Sequence, residues 1–159
     1  MNLIERDVAS GAETSHPLVT DGSGGWLFRT TPQRNTVYRV EVIDPLISSV
    51  VSESKVVSVQ VAVALEAPGA HPSAGAPYSV QGTVTPVHVG APVSIQIRRP
   101  GRDEWDEMTT TSVEADGSFA ASFTFPAEGT WEVRAVVVST GDDDHEPGAS
   151  GTKLVEVSP

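Results

Sequence analysis

The chain has 159 residues, of which 38% are hydrophobic, enough to build a core in one ordinary domain or two small ones. Val outnumbers Leu by 24 to 6, and 14 Gly and 12 Pro accompany them, so short strands joined by tight turns are favoured and long helices are excluded. The absence of Cys removes disulfides, thiolate zinc sites and a thiol nucleophile, and a net charge of -11 repels nucleic acid and anionic lipid surfaces.

No apolar run approaches the roughly 20 residues needed to cross a bilayer, so no membrane insertion is expected. Met1 to Asp7 lacks a basic segment followed by an apolar stretch, so no targeting signal is visible there. An extracellular protein with this start takes its export signal from a longer precursor or leaves the cell by assembly into a particle. Period-two alternation then predicts strands in chain order. Trp26 to Thr30 is the first, followed by Val37 to Val42, with Tyr38, Val40 and Val42 on one face. Leu46 to Val51, entered through Pro45, reads as a short strand or a buried turn. Lys55 to Val63 follows, with Val57, Val59, Val61 and Val63 facing inward. Next come Tyr78 to Thr85, Val93 to Ile97, Phe119 to Phe125, Thr130 to Val138 and Thr152 to Val157, with Gly, Pro, Asp and Ser filling the gaps.

The chain repeats itself. Asp21-Gly22, an aromatic stretch with Trp26 and Phe28, Pro32 and Thr36-Val37-Tyr38-Arg39-Val40 match Asp116-Gly117, Phe119 and Phe123, Pro126 and Thr130-Trp131-Glu132-Val133-Arg134. The second copy has additional sequence ahead of the match, through Gly82-Thr83-Val84-Thr85-Pro86 to Val93, which the first copy lacks. Met1 falls where the second copy is already in the strand containing Ile97. The first copy is therefore expected to lack its two opening strands, leaving a bare core face and an unpaired edge. Three explanations stand: a cut from a longer polypeptide, strands supplied by a partner, or cover from the second unit. Val63 runs into Ala64-Leu65-Glu66-Ala67-Pro68 with no Gly/Ser tract, which predicts a short, stiff connection.

The second copy, through Gly82-Thr83-Val84-Thr85-Pro86, Gly90-Ala91-Pro92-Val93-Ser94-Ile95-Gln96, Trp105, Asp116-Gly117-Ser118-Phe119, Gly129-Thr130-Trp131-Glu132-Val133-Arg134 and Gly141-Asp142, resembles bacterial immunoglobulin-like (Big-type) repeats. Those repeats occur along surface and secreted proteins of high-GC Gram-positive bacteria and on phage particles. His145 departs from the pattern, standing where an aromatic is common after Gly-Asp. The resemblance implies an all-β protein of immunoglobulin-like β-sandwich modules: a complete one at 64–159, preceded by an incomplete one at 1–63 that holds strands C to G. It also implies an extracellular or cell-surface location, or a place in a virion.

Two carboxylate clusters are candidates for chemistry. In Asp142-Asp143-Asp144-His145-Glu146, the alternate residues Asp142, Asp144 and Glu146 are candidate calcium ligands. The helical calcium loop does not fit, because Pro147 and Lys153 occupy positions that need Gly and Glu, and a solvated acidic turn is the favoured reading. Asp103, Glu104, Asp106 and Glu107 flank Trp105, and Trp105 with Asp106 is a candidate glycan surface. Arg98, Arg99 and Arg102 would keep those acids ionised, so charge pairing is favoured over catalysis. His16, His71, His88 and His145 have no metal-ligand spacing, no nucleophile elbow occurs, and Gly22-Ser23-Gly24-Gly25 lacks the lysine of a phosphate cradle. The expectation is a non-catalytic structural or adhesive module with no cofactor, with a protein partner or neighbouring subunit at its N-terminal module. A phage decoration or tail protein and a carbohydrate-binding module are the alternatives.

Overall fold

The structure is a computed structural model and describes residues 1–44, 46–69 and 71–159. Twelve strands and no helix are present among them, and every strand ladder is antiparallel. The chain divides into two compact units: unit 1 is 1–59 with 142–146, and unit 2 is 60–141 with 147–159.

Unit 1 is one sheet. Its strands are β1 (Asn2–Asp7), β2 (Glu13–Pro17), β3 (Thr36–Asp44), β4 (Ile47–Val51) and β5 (Lys55–Val57). The order is β2-β1-β3-β4, and β5 also pairs with β3. Residues directly opposite in a ladder share a face. Leu3 opposite Val40, and Tyr38 opposite Lys55, therefore mark one face of this sheet, and Ile4 opposite Arg39 marks the other. Among the described residues the buried apolar side chains of unit 1 are Leu3 and Ile4. Ile43, Val50, Val51, Val56 and Val57 are exposed.

Unit 2 is a two-layer sandwich. One sheet has the order β10-β7-β6, built from β6 (Ala62–Glu66), β7 (Pro77–Thr85) and β10 (Ser118–Thr124). The other has the order β12-β11-β8-β9, built from β8 (Pro92–Arg98), β9 (Asp106–Ser112), β11 (Gly129–Val137) and β12 (Lys153–Val157). The alternation in sequence becomes burial: Tyr78, Val80 and Val84 of β7, Ile95 and Ile97 of β8, and Trp131, Val133 and Ala135 of β11 enter one shared core. Tyr78, Phe123, Phe125 and Trp131 form a chain of tilted and edge-on rings with centroids 5.1–6.1 Å apart, a spacing that suits the aromatic quadrupole.

Several expected elements take another form. Trp26 to Thr30 is not a strand, although it has the right alternation. Its counterpart β10 is held by pairing with β7, and unit 1 has no strand in β7's place among the described residues. Lys55 to Val63 splits into β5 and β6, because the boundary between the units falls at 59/60 and one strand cannot serve two sheets. The expected division lay at 63/64. Leu46 to Val51 resolves as the strand β4, and Pro45 lies outside the described residues. β9, which has no apolar alternation, is an edge strand with a register shift opposite Ile95 and Gln96.

Both Asp-Gly sites are side-chain-capped turns. Asp21 Oδ1 accepts the Ser23 amide at 2.9 Å and the Ser23 hydroxyl at 2.7 Å, and Asp116 Oδ1 accepts the Ser118 amide at 2.9 Å and hydroxyl at 2.6 Å. The serine hydroxyl bonds are the main reason that both carboxyls lie below their ordinary value of 3.8. The folded form thus binds fewer protons than the unfolded one near that pH. The turn's contribution is complete above the ordinary value and disappears as pH falls through the depressed one. An NMR titration of the Ser118 amide is expected to give a midpoint below 3.8, and Asp116→Asn to abolish it.

Gly82 occupies an inward position of β7, opposite Phe119 in the β10 ladder. A Cβ there would stand 2.1 Å from the Ala64 carbonyl oxygen and 2.4 Å from Phe119 Cζ. The Phe119 ring fills the space that a side chain would need. Gly82→Ala is expected to destabilise unit 2 by roughly 3 kcal/mol in urea denaturation, the upper part of the range for overpacked cores.

Candidate functional site

Three places carry the polar and apolar features a function would use. The first is the acidic segment 142–146. Asn35, buried at the start of β3, organises it. The Asn35 amide donates to the Asp144 carbonyl at 2.7 Å, its Nδ2 donates to the Asp143 carbonyl at 2.9 Å, and its Oδ1 accepts the Val59 amide at 2.8 Å. The Val8 amide donates to the Asn35 carbonyl at 3.0 Å, and the Glu146 amide to the Val59 carbonyl at 2.8 Å. Buried His145 places Nε2 2.8 Å from the Gln33 carbonyl oxygen. All these groups belong to unit 1, so the segment is a strap stitched to the start of β3 and the end of that unit.

The three expected calcium ligands do not converge. Asp142 Oδ1 accepts the Asp144 amide at 3.1 Å, Asp144 Oδ2 lies 3.4 Å from Arg34, and Glu146 contributes its backbone amide. Asp144 Oδ1 is buried without a hydrogen-bond partner, and Arg34, which also lies 3.8 Å from Asp7, supplies countercharge to this corner. Among the described residues, no group of three or more His, Asp or Glu side chains is gathered closely enough to hold a metal ion.

The second place is the outer face of the sheet β12-β11-β8-β9 in unit 2. Trp105 is half-buried under two guanidinium groups, with Arg98 Cζ 4.3 Å and Arg134 Cζ 4.1 Å from its ring centroid. Arg98 Nε donates to Glu132, and Arg134 Nε donates to Gln96 Oε1 at 2.9 Å. Gln96 Nε2 reaches buried Ser94 at 3.3 Å, and the Ser94 hydroxyl donates to Glu107 Oε2 at 2.6 Å. Burial, and then the neighbouring Arg98 charge, depress the Arg134 pKa. Asp106 pairs with Ile97, so its side chain belongs to the opposite face of the sheet from Trp105. There it borders a hollow of about 310 Å³ with Arg99, Arg102 and Glu104. The acids flanking Trp105 therefore separate: Glu107 joins the polar ladder under the indole, and Asp106 joins the arginines at the sheet's edge. Arg99 stacks 3.9 Å over Trp131 and donates from Nη2 to the Glu128 carbonyl at 2.7 Å.

The third place is the face of unit 1 marked by Leu3, Tyr38 and Val40. Trp26 closes over it from the 18–35 segment, bordering a hollow of about 370 Å³ with Leu3, Tyr38, Val40 and Lys55. Trp26 remains 47% exposed, so the hollow is not sealed. Phe28 stacks on His16 with centroids 4.9 Å apart, His16 Nε2 lies 2.8 Å from Glu5 Oε2, and the Tyr38 hydroxyl donates to Glu5 Oε1 at 3.3 Å. Burial, and then the Glu5 charge, push the Tyr38 pKa up.

Compared with known proteins, the chain matches no family model, no curated protein and no solved structure. Sequence reasoning passed over Asn35, Arg98 and Arg134 as functional groups. Asn before a strand signals side-chain-to-backbone bonding, but the partners Asp143 and Asp144 are remote in sequence. Asn35→Ala leaves the Val59 amide and the Asp143 carbonyl without their partner. The expected cost to unit 1 is about 1 to 3 kcal/mol, from two lost part-buried bonds. Amide exchange at Val59 and Glu146, expected to accelerate while that of β11 does not, checks it.

Proposed function

We propose that the chain is a non-catalytic pair of immunoglobulin-like modules that spaces or displays other components on a bacterial surface. One observation carries the reading: a four-strand order within the five-stranded sheet of unit 1 recurs in the four-stranded sheet of unit 2, with matching register at its two central ladders. The order β2-β1-β3-β5 in unit 1 repeats β9-β8-β11-β12 in unit 2. Leu3 opposite Val40 repeats Ile97 opposite Val133, and Tyr38 opposite Lys55 repeats Trp131 opposite Val155.

In immunoglobulin terms, β6, β7 and β10 take the places of strands A, B and E, and β9, β8, β11 and β12 those of C′, C, F and G. Unit 2 is then the complete module, and the described residues of unit 1 include a C′-C-F-G sheet. Repeated modules of one architecture suit a spacing role, because each adds length and surface without needing its own chemistry. The polar groups of the three candidate places engage one another in ion pairs, stacked guanidiniums and backbone bonds, which supports a structural role for them. The acidic balance of -11 keeps such a surface soluble and self-repelling.

A second reading, a virion component completed by a neighbouring subunit, draws support from the partly covered face of unit 1, where Trp26 remains 47% exposed. Antibodies to unit 2 separate the two. Labelling of intact producing cells is expected for a surface module, and labelling confined to purified particles for a virion component. Signal found only after lysis, in neither fraction, would overturn both.

A further inference from the structure

We infer that Trp105, Arg98 and Arg134 form a binding site for the carboxylate group of a small ligand, on the outer face of the sheet β12-β11-β8-β9. The inference lies within unit 2 and does not depend on the modular reading above.

The site is a set of donors without acceptors. Arg134 is half-buried on β11 and donates from Nε to Gln96 Oε1 at 2.9 Å, while its Nη groups have no hydrogen bond among the described residues. Arg98 is held in the same way, through Nε to Glu132, and its Nη groups are likewise without one. An indole N–H usually takes an acceptor when covered. Trp131 Nε1 donates to the Ala127 carbonyl at 2.9 Å, but half-buried Trp105 has no acceptor for its Nε1 among the described residues.

Arg134 also lacks countercharge. Arg39 has Glu13 and Glu41, Arg34 has Asp7 and Asp144, and Arg98 has Glu132, whereas Arg134 has no ion pair among the described residues. The acids around it are engaged or turned away. Glu107 accepts the Ser94 hydroxyl at 2.6 Å, Glu132 accepts Arg98, and Asp106 belongs to the opposite face of the sheet. Asp103 and Glu104 are exposed and pair with neither arginine.

The polar row beneath the indole runs in one sense: Arg134 donates to Gln96, Gln96 to Ser94, and Ser94 to Glu107. It fixes the Nε edge of Arg134 and leaves the Nη edge for a ligand. Both guanidinium carbons lie over one indole, at 4.3 and 4.1 Å from its centroid. Burial, and then the charge of Arg98, already disfavour the charged form of Arg134, and an anion shared by the two cations relieves that repulsion. Positive charge and N–H donors select an anion, and the planar Nη fork matches the two oxygens of a carboxylate.

The test titrates the full chain, labelled for NMR, with sodium acetate and with sodium glucuronate at neutral pH and constant ionic strength. Saturable shifts of the Trp105 Nε1–H signal and of the Arg98 and Arg134 side-chain N–H signals are expected with both. Arg134→Gln is expected to weaken binding at least about tenfold, because it removes a charge-assisted pair. Trp105→Phe keeps an aromatic ring against the guanidiniums but loses the N–H, and is expected to weaken binding about threefold or more. Arg6→Gln, at an exposed cation of unit 1, is expected to leave the affinity unchanged. The β7 amides, in the other sheet of unit 2, report folding in each variant. Tighter binding of glucuronate than of acetate would assign the carboxylate to an acidic saccharide, and binding no tighter would assign it to a free acid. No saturable shift with either probe would overturn the inference, as would equal weakening by Arg134→Gln and Arg6→Gln, because binding would then follow net charge.

Discussion

A β-sheet with one apolar face needs a second layer, and most of what distinguishes the two halves of this chain follows from whether that layer is present. In unit 2 the three-stranded sheet covers the four-stranded one, and Val93, Ile95, Val133, Ala135 and Val137 have no measurable exposure. Each large aliphatic side chain so buried contributes about 1.5 to 3 kcal/mol relative to exposure, which offsets the ordering of the strands that carry it. Among the described residues of unit 1 the five-stranded sheet has no second sheet against it, and the buried apolar side chains reduce to Leu3 and Ile4. The 18–35 segment provides partial cover through Trp26 and Phe28.

Unit 1 offsets its thin core with polar bonds. Asn35 uses its backbone amide and carbonyl and both ends of its side chain, joining β1, the start of β3, the end of the unit and the 142–146 strap. Glu5, on the face that is apolar in unit 2, is satisfied by His16 and Tyr38. On the opposite face, Arg39 reaches Glu13 at 2.8 Å and Glu41 at 3.0 Å, an ion-pair row across three strands. Hydrogen bonds of this kind fix geometry well but add less net stability than burial does. Unit 1 is therefore specific in register yet short of apolar burial.

The arginines of unit 2 illustrate how an acidic chain uses few cations. Arg98, Arg99 and Arg134, three of its ten basic residues, stack on two tryptophans. Guanidinium groups over indoles retain charge while covering apolar surface, so Trp105 and Trp131 act as clamps between neighbouring strands. With both Arg98 and Arg134 on its ring, Trp105 engages protein groups where the sequence alone presented an aromatic beside carboxylates.

The all-β class and most strand positions in the second half were legible in the sequence, because burial on a pleated sheet imposes period two directly on the residues. The sequence also gave grounds to expect a strand at 26–30 and one continuous strand at 55–63, and tertiary structure decided otherwise. A strand needs a partner, and alternation records which face a residue prefers without recording what lies beside it. The same limit hid the role of Asn35 and the parting of Trp105 from Asp106 to opposite faces: hydrogen bonds and face assignments between remote segments exist only once the ladders have set their register.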